Sequence, residues 1–245
     1  MRKNDGNMIC IFLLLLLVIS VQGPDTMAQA EPDLRLTPKP VGVVYRKSNQ
    51  YPGSEFLFTD WKQGELQLKN GQVIKDLAIN YNAYSDEVVY KASGNITVEI
   101  SKHQVSGFKV TKPAVVRSFI LSGNDPVIDS FFSKPVFLEL LYDGRIKLYA
   151  RRSFKINHQL TQDNPFNKSV YYPEDRYYVK IADELIPSPQ KAKSYLPYYD
   201  RALVRDILHS QHLTLKDESG LINFIEALDL QDPVNAGENY TPHDK

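Results

Sequence analysis

Short alternating segments joined by turn dipeptides are the feature that most restricts the fold of this 245-residue chain. Residues 65–69 (ELQLK) alternate polar and apolar side chains, the dipeptide Asn-Gly follows at 70–71, and the alternation resumes at 72–74. Asn and Gly tolerate the positive φ angles that both central positions of a type I′ turn require, so this stretch predicts a β-hairpin. An Asp-Gly dipeptide at 143–144 separates two further runs in the same way. The sequence between the two turns is therefore expected to be antiparallel β-structure.

Apolar runs recur about every ten residues through this region with polar turns between them, which is typical of an antiparallel meander. The predicted strands after the first hairpin are residues 77–81, 87–91, 96–100, 107–110, 115–121, 136–142, 145–150 and 176–181. A polar loop is predicted at 157–168, and 176–181 is predicted to be the last strand. We therefore expect a mainly β protein of the α+β class. Its antiparallel domain, residues 64–186, is expected to be a sandwich or a partly open barrel.

The segment before this domain, residues 31–63, carries four prolines and little periodicity. Proline removes a backbone donor and disrupts helices, so the segment predicts an extended N-terminal arm. Within the arm, the valine-rich stretch 41–45 predicts an edge strand.

The period of the apolar residues changes after residue 187 and becomes helical. Asp200 is placed to cap the first helix, and the acidic stretch 217–219 favours the start of a second. The apolar faces consist of Leu203, Val204, Ile207 and Leu208, and of Leu221, Ile222, Phe224, Ile225 and Leu228. Two short amphipathic helices cannot bury such faces alone, so residues 187–231 predict a helical hairpin docked on the sheet. A flexible tail is predicted at 232–245.

Residues 1–30 predict a secretory signal peptide. Arg2 and Lys3 precede an apolar run over residues 9–21, and small residues follow at 28–30. The run is shorter than the roughly 20 residues of a transmembrane helix. We expect cleavage and no stable membrane insertion afterwards; retention of the segment as an anchor is the alternative.

The single cysteine, Cys10, lies inside this segment. A chain cleaved after residue 30 would contain no thiol, which excludes disulfides, cysteine nucleophiles and thiolate metal sites. A secreted eukaryotic protein of this size normally contains cysteine, so the periplasm or cell envelope of a Gram-negative bacterium is expected. The 29 basic and 29 acidic residues cancel, and no nucleic-acid partner is expected.

Three stretches, residues 61–71 (WKQGELQLKNG), 79–82 (INYN) and the helical end from 194 to 228, resemble those of exported, functionally uncharacterised proteins common in Bacteroidetes. The resemblance implies a signal peptide, a β-rich body and a C-terminal helical pair. It implies no known activity and no catalytic residues.

Asp206, His209 and His212 are the candidate metal ligands. Residues three apart share a helix face, and imidazole is a good zinc ligand. The alternative is that the histidines lie at a helix end, where cationic side chains interact favourably with the helix dipole. The spacing supplies no fourth ligand, and no cofactor is predicted.

Tyrosines are concentrated late in the chain, and Tyr171, Tyr172, Tyr177 and Tyr178 are the candidate binding residues. Their rings could stack on a sugar or anchor a protein partner, because each has an apolar body and a polar tip. The alternative is that each doublet places one ring on either face of an ordinary strand.

Neither a G-x-S-x-G nor an H-E-x-x-H motif occurs in residues 31–245. We therefore expect a non-enzymatic module that binds an envelope protein or a glycan, and we name no catalytic residue. A hydrolase acting on envelope polymers or glycans is the alternative.

Overall fold

Strands dominate the computed structural model, which describes residues 40–46, 51, 53–112, 115–159, 168–187 and 189–231. Within these ranges the strands are β1 (Gly42–Val44), β2 (Lys62–Leu68), β3 (Val73–Asn82), β4 (Glu87–Lys91), β5 (Thr97–Ile100), β6 (Val105–Lys112), β7 (Val115–Leu121), β8 (Phe137–Asp143), β9 (Lys147–Arg151), β10 (Phe154–Gln159), β11 (Lys168–Pro173), β12 (Arg176–Ile181) and β13 (Glu184–Pro187). The α-helices are α1 (Pro126–Phe131), α2 (Arg201–Ser210) and α3 (Glu218–Asp229). The predicted signal peptide and tail lie outside the described residues.

Most of the strands belong to one antiparallel sheet with the order β1-β5-β4-β3-β2-β6-β7-β8-β9-β12-β13. Strands β10 and β11 form a separate two-stranded hairpin. The predicted mainly β, antiparallel class is confirmed. Strand β1, from the predicted N-terminal arm, lies at one edge of the sheet and pairs with β5.

The large sheet curls around its core. Tyr81 on β3 and Phe137 on β8 are four strand spacings apart, which would be about 19 Å in a flat sheet. Their ring centroids are nevertheless 6.1 Å apart, and the backbone N–H of Phe137 donates to Asp86 Oδ1 after β3, at 3.2 Å. Within the described residues β1 and β13 are the edges of this sheet, so it does not close into a barrel.

The two C-terminal helices pack on the β9–β12 part of the sheet. Tyr195, Phe224 and Leu228 are fully buried there together with Leu148 and Val179 of the two strands. Both helices begin with an aspartate cap: the Asp200 carboxylate accepts from the Ala202 N–H and the Asp217 carboxylate from the Gly220 N–H, each at 2.7 Å. The helical hairpin is thus stabilised at its starts and along its buried face.

Three local predictions need correction. Strand β13 follows the predicted last strand. Part of the predicted loop 157–168 forms the ends of β10 and β11, because the hydrogen bonds of a strand pair are made by the backbone and do not require apolar side chains. The short helix α1 was not predicted; its six residues give too little periodicity, although the Asp125-Pro126 start is a capping signal.

Candidate functional site

The doublet Tyr177-Tyr178 on β12 does not form an exposed surface. The Tyr177 hydroxyl donates to Glu218 Oε2 on α3 at 3.0 Å. Tyr178, only 5% exposed, packs against Phe131 and Phe132 on the opposite face of the sheet. Successive strand residues point to opposite faces. This doublet therefore places one ring on either face of an ordinary strand, which was the alternative to a shared binding surface. Tyr177 is half-buried and Tyr178 is buried, so the two rings do not form one exposed aromatic face.

The second doublet, Tyr171-Tyr172 on β11, also divides between two faces. Tyr172 is 37% exposed and lies opposite Lys155 of β10 in the strand register. Tyr171 points to the other face of this hairpin. There it contacts tyrosines that are distant in the sequence.

Tyr171 lies at the centre of a group of aromatic rings from four chain segments. Its centroid is 5.9 Å from that of Tyr51 and 5.4 Å from that of Tyr84, both in edge-to-face geometry. Tyr45 shares a carboxylate partner with Tyr171, Glu55. We call Tyr45, Tyr51, Tyr84 and Tyr171 the tyrosine cluster. Tyr84, 48% exposed, is its most accessible member.

Backbone hydrogen bonds fix the segments that carry Glu55, Tyr84 and Tyr171. Residues 55–57 run along the end of β3: the Leu57 N–H donates to the Tyr81 carbonyl and the Ala83 N–H to the Glu55 carbonyl, both at 2.9 Å. The Phe154 N–H donates to the Ala83 carbonyl at 3.0 Å, which brings the β10–β11 hairpin to the same place. Tyr84 and Tyr171 are therefore held by main-chain contacts of their segments as well as by ring packing.

Asn82 organises the turn that presents Tyr84. Its side-chain oxygen accepts from the backbone N–H groups of Tyr84 (3.1 Å) and Ser85 (3.0 Å), an Asx-type turn. Asp86 follows with a φ of 61°, a conformation that aspartate tolerates better than most residues. The exposed ring of Tyr84 thus stands on a fixed backbone.

A buried carboxylate, Glu55, lies beneath the tyrosine cluster and is 3% exposed. It accepts a short hydrogen bond from the Tyr45 hydroxyl and a longer one, 3.5 Å, from the Tyr171 hydroxyl. Burial, and then the hydrogen bond to Glu55, raise the pKa of Tyr45. Burial, and then the charge of Glu55, raise the pKa of Tyr171. Both hydroxyls therefore stay protonated at neutral pH and are directed inward to the carboxylate.

Aromatic contacts continue from the tyrosine cluster across the neighbouring surface. The ring centroids of Tyr45 and Phe56 are 5.6 Å apart, and those of Phe56 and Trp61 are 6.5 Å apart. Lys91 Nζ lies 5.7 Å from the Trp61 centroid, within cation–π range. Sequence reasoning missed Tyr45, Tyr51, Tyr84 and Glu55 because each is isolated in the chain and only the fold brings them to Tyr171.

A charged network lies in a cleft of about 530 Å³ where β7 and β8 diverge. The two strands pair only between residues 118–121 and 137–140. Arg152, whose side chain is 8% exposed, contacts three carboxylates: Glu139 (2.5 Å), Asp175 (2.6 Å) and Glu218 (2.7 Å). We call these four residues with Arg117 the Arg152 network.

Glu139 is held between two arginines in this network. Arg117 Nη2 donates to Glu139 Oε2 at 2.6 Å, and its Nε contacts the other oxygen. Burial opposes the ionisation of Glu139, but the hydrogen bonds and charges of Arg117 and Arg152 outweigh it and lower the pKa of the carboxyl. An ionised, doubly paired carboxylate cannot donate a proton at neutral pH, so the geometry favours a structural role.

Glu87 on β4 behaves differently. Burial raises its pKa to about 7, against the opposing effect of Lys102. Lys102 Nζ lies 3.8 Å from the Glu87 carboxylate but 2.7 Å from Asp86, so its charge is shared. Glu87 lines a separate cleft of about 460 Å³ together with Glu99 and His103.

The predicted metal ligands are not brought together. Asp206 and His209 lie on α2, but the helix ends at Ser210, and His212 adopts a φ of 53° beyond it. The Leu213 N–H donates to the Leu208 carbonyl at 3.0 Å, as in a Schellman motif, whose left-handed position His212 occupies. The helical spacing therefore fails at its third residue. Within the described ranges, no group of three His, Cys, Asp or Glu side chains is arranged to hold a metal ion.

Comparisons of the chain with protein-family models, with curated proteins and with solved structures return no match. In the part of the chain that the structure describes, no helix is long and apolar enough to cross a membrane.

Proposed function

We propose that this protein is a non-catalytic, sugar-binding protein of the bacterial cell envelope and that the tyrosine cluster is its binding surface. The observation that carries the proposal is the meeting of Tyr51, Tyr84 and Tyr171, from three separate segments, over the buried Glu55. Tyrosine rings offer flat apolar area for the C–H faces of a sugar, with polar tips for its hydroxyls.

Preorganisation supports a binding role. Asn82 fixes the Tyr84 turn, and Glu55 holds the hydroxyls of Tyr45 and Tyr171. Rings that are already ordered lose little conformational entropy when a ligand binds, and tyrosine has few rotatable bonds to immobilise. Aromatic rings that are held in place are thus better suited to a ligand than the same rings on a mobile loop.

The proposed location rests on the sequence. Residues 1–30 have the pattern of an export signal, and Cys10 is the only cysteine. Envelope polysaccharides are accessible ligands for a protein exported to that compartment. We therefore expect the natural sugar to be a component of the envelope or of the material outside it.

The Arg152 network supports the non-catalytic part of the proposal. A glycosidase needs one carboxyl that donates a proton and a second that acts as base or nucleophile. Glu139, Asp175 and Glu218 converge on a cleft, but all three are paired with arginine. The ion pairs of these carboxylates with Arg152 connect the sheet to α3.

A hydrolase acting on envelope polymers or glycans is the second candidate, and Glu87 is the observation that favours it. Its pKa of about 7 is suited to a general acid. If this candidate is right, purified protein releases reducing sugar from an envelope polysaccharide, and Glu87→Gln abolishes that release. Binding without release, unaffected by Glu87→Gln, supports the non-catalytic proposal.

The proposal is tested by measuring sugar binding with a glycan array followed by calorimetry on the sugars that bind. The double variant Tyr84→Ala/Tyr171→Ala is expected to weaken binding roughly tenfold or more, about 1.4 kcal/mol or more. Tyr172→Ala removes an exposed tyrosine from the opposite face of the same hairpin and serves as the matched control, with unchanged affinity. Equal binding by the double variant, or equal losses in the double variant and the control, would exclude the tyrosine cluster as the sugar site.

A further inference from the structure

We propose that a basic groove along α2 binds an acidic peptide segment of a partner protein. This interaction is separate from the sugar binding proposed above and lies on different residues. The groove has a volume of about 460 Å³ and is lined by Ala192, Lys193, Leu196, Arg201, Val204, Arg205, Leu208 and His209. We call it the basic groove.

Every charged or titratable side chain that lines the basic groove is basic. Arg201, Arg205 and His209 are spaced four residues apart on α2, so they form one row about 12 Å long. Lys193 joins them from the turn before the helix. The chain as a whole is neutral, with 29 basic and 29 acidic residues, so this local excess of positive charge is not a property of the average surface.

These cations are little engaged by the protein itself. Arg205 Nε lies 3.5 Å from Asp206, but both side chains are more than two-thirds exposed, and such pairs are weak. Within the described residues, neither Lys193 nor Arg201 takes part in an ion pair. The positive charges of Lys193, Arg201 and Arg205 are therefore mostly not neutralised within the protein and can attract an external anion.

The floor of the basic groove is aliphatic. Val204 is 2% exposed and Leu208 is half-buried, whereas Leu196 is 36% exposed at the edge. None of the described residues that line the groove is aromatic, so they offer no stacking surface of the kind that a sugar or a nucleic-acid base would use. The apolar atoms lie below the charged ones. A surface that inserts into a bilayer has the opposite arrangement, with its apolar atoms outermost.

A peptide fits both features. About four extended residues span the 12 Å row, so alternate side chains can meet the cations while the others reach the aliphatic floor. Glutamate or aspartate would pair with Arg201 and Arg205, and a leucine-sized side chain would pack against Leu196 and Leu208. Charge complementarity thus selects an acidic segment with at least one aliphatic anchor.

The test uses a short fluorescein-labelled peptide in which glutamate and leucine alternate, with fluorescence anisotropy as the readout. Arg201→Glu/Arg205→Glu is expected to weaken binding of this peptide roughly tenfold or more at low salt. Lys69→Glu/Lys75→Glu makes the same change in net charge at exposed positions of the β2–β3 hairpin and is expected to leave the affinity unchanged. Leu196→Ser is expected to weaken binding of the peptide without changing the charge of the groove.

Further probes separate the competing occupants. A peptide with glutamine in place of glutamate is expected to bind more weakly than the acidic one. Equal affinity of the acidic peptide for wild type and Arg201→Glu/Arg205→Glu would overturn the proposal. Stronger binding of a heparin oligosaccharide or of phosphatidylglycerol vesicles than of the peptide, lost in that variant, would overturn the peptide assignment. Sugar binding by Arg201→Glu/Arg205→Glu, and peptide binding by Tyr84→Ala/Tyr171→Ala, are both expected to be unchanged, so either proposal can fail alone.

Discussion

Replacement of Arg152 by alanine is expected to be among the most destabilising single changes in this chain. The guanidinium contacts Glu139 on β8, Asp175 before β12 and Glu218 on α3, so its loss separates three elements at once. Removing one partner of a buried ion pair leaves an uncompensated charge and typically costs about 3–5 kcal/mol.

The expected loss lies at the lower end of that range. Glu139, whose side chain is 4% exposed, keeps Arg117 as a partner, whereas Asp175 and Glu218 are 27% and 36% exposed and can recover part of their hydration. We therefore expect the free energy of unfolding to fall by about 3 kcal/mol. For a chain of this size that corresponds to a decrease in Tm of roughly 6–12 °C.

Urea unfolding of the chain from Glu31 measures this loss, with the fluorescence of the single tryptophan, Trp61, and circular dichroism as two probes. Arg176→Ala is the matched control, because Arg176 is 55% exposed and, among the described residues, pairs with Glu174 alone. The control is expected to change stability by less than about 0.5 kcal/mol. A loss below about 1 kcal/mol for Arg152→Ala, at an unchanged m value, would refute the argument that the network holds α3 to the sheet.

Two further changes test the electrostatics and the packing. Because burial raises the folded-state pKa of Glu87 from 4.5 to about 7, its contribution to stability is fully present below pH 4.5 and is lost as the pH rises through about 7. Glu87→Gln is expected to remove this decline, so urea midpoints measured between these pH values should diverge from wild type as the pH rises; parallel curves would contradict it. Gly220→Ala is expected to destabilise by about 1–3 kcal/mol although alanine favours helices, because its Cβ would lie 2.1 Å from the Thr214 carbonyl oxygen. Asn223→Ala, exposed on the same helix, is the control, and a stabilised Gly220→Ala would show that the turn before α3 can move.

Local signals explain why most elements could be predicted from the sequence. The Asn-Gly and Asp-Gly turns, the period-two runs and the aspartate caps Asp200 and Asp217 act within a few residues of themselves. The end of α2 was less visible, because the left-handed position is occupied by His212 and not by the glycine that usually marks it. Because His212 lies beyond the end of α2, it does not share a helix face with Asp206 and His209, as the predicted metal site required.

The candidate site could not be predicted, because it depends on contacts between residues that are far apart in the chain. Tyr51, Tyr84 and Tyr171 are brought together by a curled sheet and by hydrogen bonds of residues 55–57 along β3, and no local pattern encodes those pairings. The doublets at 171–172 and 177–178 indicated tyrosine as the residue type of the site. Strand pleating, however, places one ring of each doublet on the opposite face. Of the four tyrosines, Tyr171 alone belongs to the tyrosine cluster.

The most direct test of the central claim is a titration of the ring-labelled protein with a sugar that binds, followed by the tyrosine ring signals in NMR. Rings that contact a sugar change their chemical environment, whereas buried rings elsewhere do not. The proposal predicts shifts in Tyr51, Tyr84 and Tyr171 and none in Tyr172 or Tyr178. Saturable sugar binding with no change in the first three, or with changes confined to Tyr172, would contradict it.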